Sequence, residues 1–366
     1  MSNLVVNNKG RGAQSDPPNR FEAHHEVQDP EYLEYCRNEG EEAGSNRTRF
    51  HLSDPKSIVN KVNSPDVGMS YSMNPYQGCE HGCVYCYARN SHEYWGYNAG
   101  TDFEKNILVK QRAAALLEKK LRSRSWQPET IVLSGNTDCY QPAEKKFKLT
   151  RACLGIFLKY RHPVGIITKN ALILRDMDLL KQLQEMRLIK VYISLTTLDE
   201  DTRRKLEPRT ATIKKRLQTI TTLSQAGIPV TAMIAPIIPG INSHEILPLA
   251  KAAKEAGATD IAYTVVRLNG AIAGIFKTWI EQTMPEKAAR VLSLTSQCHG
   301  GQLNDSRFGI RNKGEGPVAD QIKQLIKIAR QKYFPDPRPY TMNRDLYHER
   351  RTHHTRNEGD QLELFA

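Results

Sequence analysis

The sequence predicts an α/β fold in which six strand–helix units close only part of the way round, an incomplete (β/α)6 TIM-like barrel with flexible N- and C-terminal extensions. Two observations predict it. Short apolar runs rich in Ile and Val alternate with longer helix-like segments through the middle of the chain. Such alternation builds a parallel sheet joined by right-handed crossovers. Six units are fewer than a closed eight-fold barrel needs, so the barrel is open; a doubly wound open sheet is the alternative. In either case the ligand site lies at the carboxyl ends of the strands.

The elements follow in order. Residues 1–60 are polar, with Gly10, Gly12, Pro17 and Pro18 and no sustained periodicity, and read as a polar arm that drapes over the domain. The strands are expected at 69–74, 130–134, 164–168, 190–195, 230–235 and 260–267. The helices are expected at 105–122, 150–160, 171–186, 212–226, 244–256 and 272–293. Ser243 stands where an N-cap belongs and Gly257 where the helix after it must stop. Residues 61–335 thus form the core with a C-terminal helical cover. Residues 336–366, with Pro337 and Pro339 followed by Arg, His and Glu, form a flexible tail.

With 39% hydrophobic residues the chain can bury a core, and 52 basic against 40 acidic residues leave a net charge of +12, which favours a polyanionic partner. The longest uncharged run, 217–243, contains Pro229, Pro236 and Pro239, which would break a spanning helix. The N-terminus has no apolar signal core. No membrane segment and a cytoplasmic location are expected, and there seven cysteines read as metal or catalytic chemistry before disulfides.

The first strand runs into Asn74-Pro-Tyr-Gln-Gly-Cys79-Glu-His-Gly-Cys83-Val-Tyr-Cys86. Three cysteines on one compact loop can turn their thiolates towards one soft metal centre, with Gly78 and Gly82 letting the backbone fold around it. Three ligands are informative: an iron–sulfur cubane so held keeps one iron open to an external ligand. A zinc site completed by His81 or His92 is the alternative.

The spacing Cys-x3-Cys-x2-Cys with an aromatic residue before the last cysteine resembles the radical S-adenosylmethionine (SAM) superfamily, and the barrel is then of the radical SAM type. The resemblance implies a [4Fe-4S] cluster on Cys79, Cys83 and Cys86. Its open iron chelates the methionine amino and carboxylate groups, and reduction cleaves SAM to a 5′-deoxyadenosyl radical. Tyr85 takes the position against the adenine. At the second strand end the family binds the methionine amino group. Here Gly135 permits close approach and Asn136, Thr137 or Asp138 supplies the acceptor. Ser194 and Thr196 resemble the ribose-contacting positions, and Ile238 and Gly240 the adenosine-contacting turn after strand five. Arg267, ending strand six, faces substrate or cofactor, or is structural.

Asn74-Pro-Tyr-Gln-Gly, Tyr140-Gln-Pro-Ala-Glu144 and Leu206-Glu-Pro-Arg209 resemble the spore-photoproduct-lyase-like branch over residues 65 to about 330. Spore photoproduct lyase reverses a thymine dimer in DNA. Its hydrogen-donating cysteine falls here on Asn136, so that donor is not carried over. Cys139, three residues on, is either a thiol hydrogen donor or incidental. Cys153 reads as core, and Cys36 and Cys298 carry no signal. Basic stretches at 145–161 and 203–216 line a phosphate track or are solvated helix faces. The terminal Gln361, Leu362, Leu364 and Phe365 resemble the peptide by which bacterial DNA-processing proteins dock on the sliding clamp.

The leading reading is a radical SAM enzyme acting on DNA or another nucleic acid, in repair or base modification, served by an external electron donor. The alternatives are the same chemistry on a peptide or small molecule, and a non-catalytic metal-containing nucleic-acid-binding module.

Overall fold

The computed structural model describes residues 10–21, 47–336 and 340–347. Cys36 and the terminal peptide 361–366 lie outside the described residues. Ten strands run β1 (Arg49–Leu52), β2 (Val59–Lys61), β3 (Tyr71–Met73), β4 (Tyr76–Gln77), β5 (Asn106–Val109), β6 (Ile131–Leu133), β7 (Val164–Thr168), β8 (Ile189–Ser194), β9 (Val230–Ile237) and β10 (Asp260–Val265). The main sheet has the order β10-β9-β8-β7-β6-β3-β2. Its six strands from β3 to β10 are parallel neighbours, and β2 adds an antiparallel edge. These six are the expected ones, in the expected sequential order.

The core explains the choice. Leu133, Ile166, Val191, Ile193, Val230 and Ala232 are all within 1% of full burial, because a parallel sheet covered by helices buries its strands on both sides. Helix Leu149–Lys159 turns Cys153, Leu154 and Phe157 inward and packs on helix Ala113–Arg122.

Several expected elements divide. The span 105–122 opens with β5, because the apolar run Ile107-Leu-Val109 pairs with β1 and β4 in a separate three-stranded sheet. The span 272–293 breaks at Met284, since Pro285 has no N–H and starts a second helix, Pro285–Gln297. Ser243 does not cap a helix. It lies in a 3-10 turn, accepts the Gly240 amide at 3.3 Å, and helix Ile246–Glu255 begins after it. Gly257 does follow the helix end, with φ +98°. A further helix, Gly316–Tyr333, covers the core.

The polar segment before residue 60 is ordered in its described parts. Strands β1 and β2 lie in it, and Arg11, Ala13 and Asn19 are buried. These residues are held by carboxylates and carbonyls of other segments, so no hydrophobic period marks them.

The seam between β10 and the β2–β3 turn is bridged by the loop before helix Gly316–Tyr333. Val265 donates its amide to Asn312 (2.9 Å) and Leu268 to Leu303 (2.9 Å). On the other side, Asp66 ion-pairs with Arg311 and accepts the Gly309 amide (2.5 Å).

His162 stands in the core between Trp126, Phe157 and Tyr347. Its Nδ1 donates to the Pro163 carbonyl (2.9 Å) and its Nε2 accepts the Trp126 indole N–H (3.0 Å), which fixes the neutral ring. Burial pulls its pKa from 6.5 to about 3. Below the unfolded value the unfolded chain takes up a proton that the folded chain refuses, so stability falls with falling pH. In urea unfolding, His162→Gln is expected to remove up to about 1.4 kcal/mol of the loss per pH unit between about pH 6.5 and about pH 3.

Candidate active site

Strand β3 delivers the chain through Asn74 and Pro75 to the cysteine loop at the carboxyl edge of the sheet. Gly78 and Gly82 adopt φ of +79° and +69°. A Cβ on Gly78 would stand 2.8 Å from the Asn106 carbonyl oxygen, so that turn requires glycine.

Distant residues then hold the loop from outside. Gln141 accepts the Glu80 amide (3.0 Å) and donates to the Gly78 carbonyl (3.0 Å). The Leu206 carbonyl accepts the Val84 amide (3.1 Å), and the His81 carbonyl accepts the Arg209 amide (3.3 Å). Arg209 also pairs with Glu80 at 3.3 Å. Arg89, wholly buried, donates to the Cys83 carbonyl (3.0 Å) and pairs with Glu104 at 2.6 Å. The motif segments 140–144 and 206–209 are therefore supports of the cysteine loop.

Cys79, Cys83 and Cys86 open onto a cavity of ≈ 410 Å³ at the barrel mouth, together with Tyr85, Gly135, Asn136, Thr137, Asp138, Ser194 and Arg267. Thr196, Ile238, Gly240 and Cys139 do not line it. Thr196 lies beneath, donating to Glu207 at 2.7 Å. Ile238 packs, unexposed, among Val84, Tyr85 and Val266. Gly240 faces Val291 and Leu294 of helix Pro285–Gln297. Cys139 is wholly buried in the main core, with its amide on Ser134 Oγ (2.7 Å) and its carbonyl on Thr150 Oγ1 (2.6 Å). Three residues along this loop turn the side chain inward, so sequence proximity to the cavity does not bring the thiol to it.

The three candidate acceptors after β6 separate by their bonds. Asp138 accepts the Lys169 amide (2.8 Å), the Tyr140 amide (2.8 Å) and the Thr168 hydroxyl (2.8 Å), and lies 3.3 Å from His81 Nδ1. Burial alone would raise its pKa, but His81 and these donors hold it at about 2. It ties the cysteine loop to the ends of β6 and β7. The Thr137 hydroxyl donates to the Tyr76 carbonyl (2.6 Å), and its oxygen can still accept. Asn136 donates through Nδ2 to Ser91 (3.0 Å) and Gln77 (3.3 Å), which leaves its side-chain carbonyl as an acceptor as well.

Sequence reading missed the polar network under Tyr85. Glu207, wholly buried, accepts from the Tyr85 hydroxyl, from Thr196, and from Arg216 at 2.5 Å. Lys169, at the end of β7, lines the cavity beside Cys83 and Tyr85. Burial acts to lower its pKa, but Cys83 and Glu207 outweigh that and raise it to about 12, so it is a fixed positive charge. The Lys169-Asn170 pair that ends β7 was the available signal.

The thiols suit a soft metal cluster. As free thiols, Cys79 and Cys83 are driven up by burial, Cys83 to about 12, and ionise only when a metal's charge compensates. Val84, Ala88 and Phe103 pack around them. Zinc fits less well. His92 is buried beside Tyr97 and Phe103, away from the cavity, and His81 is engaged by Asp138 and Asn170. Among the described residues no three His, Cys, Asp or Glu side chains form a single-ion site.

The basic stretches are neutralised internally only in part. Arg203 and Arg216 are buried, Arg203 on Glu200 and backbone carbonyls and Arg216 on Glu207. Arg204 pairs with Glu200 and Asp201, Arg151 with Asp176 and Asp178, and Lys159 with Glu118. Lys145, Lys146, Lys148, Lys205, Lys214 and Lys215 stay exposed. No helix among the described residues is long and apolar enough to cross a membrane.

Comparison with known proteins agrees with this geometry. An uncharacterized protein of Mycobacterium tuberculosis is 36% identical over 248 residues, 67% of this chain and 73% of the relative. Among solved structures, spore photoproduct lyase complexed with dinucleoside spore photoproduct aligns with a TM-score of 0.58 at 16% identity, covering 78% of this chain and 80% of the lyase. A double mutant of that lyase with bound AdoMet and dinucleoside spore photoproduct also gives 0.58, at 15% identity over 83% of this chain and 92% of the other. Residues 73–253 match the Radical SAM superfamily, and that stretch carries the cysteine loop and all but one of the expected cavity positions; with the thiols, the cavity and the six-stranded sheet in agreement, the chain belongs to the radical SAM superfamily and is a radical SAM enzyme.

Proposed function

We propose that Cys79, Cys83 and Cys86 hold a [4Fe-4S] cluster and that the enzyme cleaves SAM reductively to act on DNA or another nucleic acid, in repair or base modification. The observation that carries the reading is the single cavity onto which the three thiols and the ends of the parallel strands open. With SAM bound, the reduced cluster supplies a 5′-deoxyadenosyl radical able to abstract hydrogen from a substrate.

The chain's own residues do the rest. Lys169 offers a buried positive charge for a carboxylate, and Asn136 an acceptor for an ammonium. Tyr85, fixed by Glu207, presents an aromatic wall. Lys169 and Arg267 line the cavity, with Arg311 already paired to Asp66, against one carboxylate, Asp138, whose oxygens are already engaged. That balance favours a polyanionic substrate, and the exposed lysines extend it outward. The terminal peptide with Gln361, Leu362, Leu364 and Phe365 would bring the enzyme to a sliding clamp. An external electron donor is required.

The test is anaerobic. The reconstituted enzyme, given SAM, a strong reductant and ultraviolet-damaged DNA, is expected to form 5′-deoxyadenosine and to bind the DNA with an affinity that falls steeply with salt. Salt-independent or absent binding beside intact SAM cleavage would move the substrate to a peptide or small molecule.

A further inference from the structure

The proposed function leaves residues 11–20 without a role, yet they cross the cysteine loop and the segment that follows it. The Glu104 carboxylate, wholly buried, accepts the amides of Gly12 (3.0 Å) and Ala13 (2.8 Å) besides Arg89 (2.6 Å). Arg11 donates to the Glu104 carbonyl at 2.8 Å. Gly12 lies so close to the loop that a Cβ on it would stand 1.7 Å from the Gly82 carbonyl oxygen. Ala13, unexposed, packs with Ala99 and Ile275.

Two further attachments follow along the same line. Asp16 accepts the amide (2.6 Å) and hydroxyl (2.9 Å) of Thr101. Asn19 donates to the carbonyls of Glu93 (3.0 Å) and Tyr97 (3.2 Å). Apart from the Ile275 contact, these attachments fall on the stretch 82–104. The shared acceptor is a buried carboxylate, which makes bonds about twice as strong as neutral ones.

We propose that residues 11–20 are a clasp that positions the cysteine loop and closes its outer flank, so that retention of the iron–sulfur cluster and its resistance to oxygen depend on the N-terminal segment. The proposal rests on the cluster reading above. The loop turns twice through left-handed glycines and has little stiffness of its own. Gly12 packs directly against Gly82, which lies between Cys79 and Cys83 in the loop. Without the Gly12 and Ala13 amides, Glu104 keeps Arg89 alone, and Arg89 is the residue that grips the Cys83 carbonyl. The clasp acts on the cluster through its supports, as outer-layer partners of metal ligands do.

The experiment compares full-length wild type, Gly12→Ala and Asp16→Ala after anaerobic reconstitution. Iron and sulfide per chain, the electron paramagnetic resonance signal of the reduced cluster and the rate of bleaching in air are measured, with far-ultraviolet circular dichroism as the check on folding. Gly12→Ala is expected to keep its dichroism and to bleach about 10-fold faster than wild type, with Asp16→Ala between the two. Wild-type iron content and bleaching in a folded Gly12→Ala chain would overturn the clasp. If Gly12→Ala does not fold, Asp16→Ala, which introduces no collision, decides by the same readout. A wild-type chain that takes up no iron would overturn the cluster reading itself, whereas a full wild-type cluster with unchanged variants overturns the clasp alone.

Discussion

Cys83→Ala is expected to lower 5′-deoxyadenosine formation by at least about 10³-fold, to the level of reductant alone, and to remove the signal of the reduced cluster. Cys83 lies at the middle of the loop, 6% exposed and facing the cavity. With three thiolates for the whole cluster, the loss of one leaves two and a second open iron. The loop is held by Gln141, Arg89 and the 206–209 segment rather than by the thiol, so the chain still folds. Cys153→Ala is the control, its side chain lying in the core face of helix Leu149–Lys159. Cys139→Ala is the informative companion: the thiol faces the core, so cleavage of SAM persists. Product from Cys83→Ala at the wild-type rate would end the assignment of this loop as the cluster site.

Glu207→Ala is expected to be the most damaging substitution for stability away from the hydrophobic core. Burial works against the charge, yet Arg216 and Lys169 hold the carboxyl at about 2, so it is ionised at neutral pH. Removing it leaves the Arg216 guanidinium, 2% exposed, beside the Ser194 carbonyl and Thr210 hydroxyl without its counter-charge. Breaking a buried pair in this way costs about 3–5 kcal/mol, equivalent to a fall in melting temperature of about 4–7 °C for a chain of this size. Glu207→Gln, which keeps the shape and part of the hydrogen bonding, is expected to lose less. Calorimetric melts of the three proteins check the order. Because Tyr85 and Thr196 lose the same acceptor, SAM binding by titration is expected to weaken in step, and a variant that melts like wild type would show that the network does not support this wall of the cavity.

The strands that build the barrel were legible because most are short runs rich in Ile and Val, buried throughout in β6 and on alternate residues in β10. The cysteine loop was legible for a different reason: metal chemistry restricts both residue type and spacing. Where cavity-lining was the question, Asn136, Ser194 and Arg267 were found because they end strands whose direction the alternation had set. Cys139 and Gly240 were not placed correctly, because the side of a loop that a side chain takes depends on hydrogen bonds such as Cys139 to Ser134, which have no periodicity. Lys169 and Glu207 were missed as site residues for the same reason. The clasp is the extreme case. Its contacts join Gly12 to Gly82 and Asp16 to Thr101, and polar residues held by a distant carboxylate look, in sequence, like a solvated arm.

The loop that bridges β10 and the β2–β3 turn separates two kinds of inheritance within one site. The thiols, Asn136, Lys169 and Ser194 stand on or beside strands of the buried sheet, where a change disturbs packing on every side. Arg311 and Asn312 reach the same cavity from a segment outside the sheet, fastened by Asp66 and a few backbone bonds. A substitution in that segment would alter the far wall and leave the sheet-borne side of the cavity as it is, so the two walls can be varied separately.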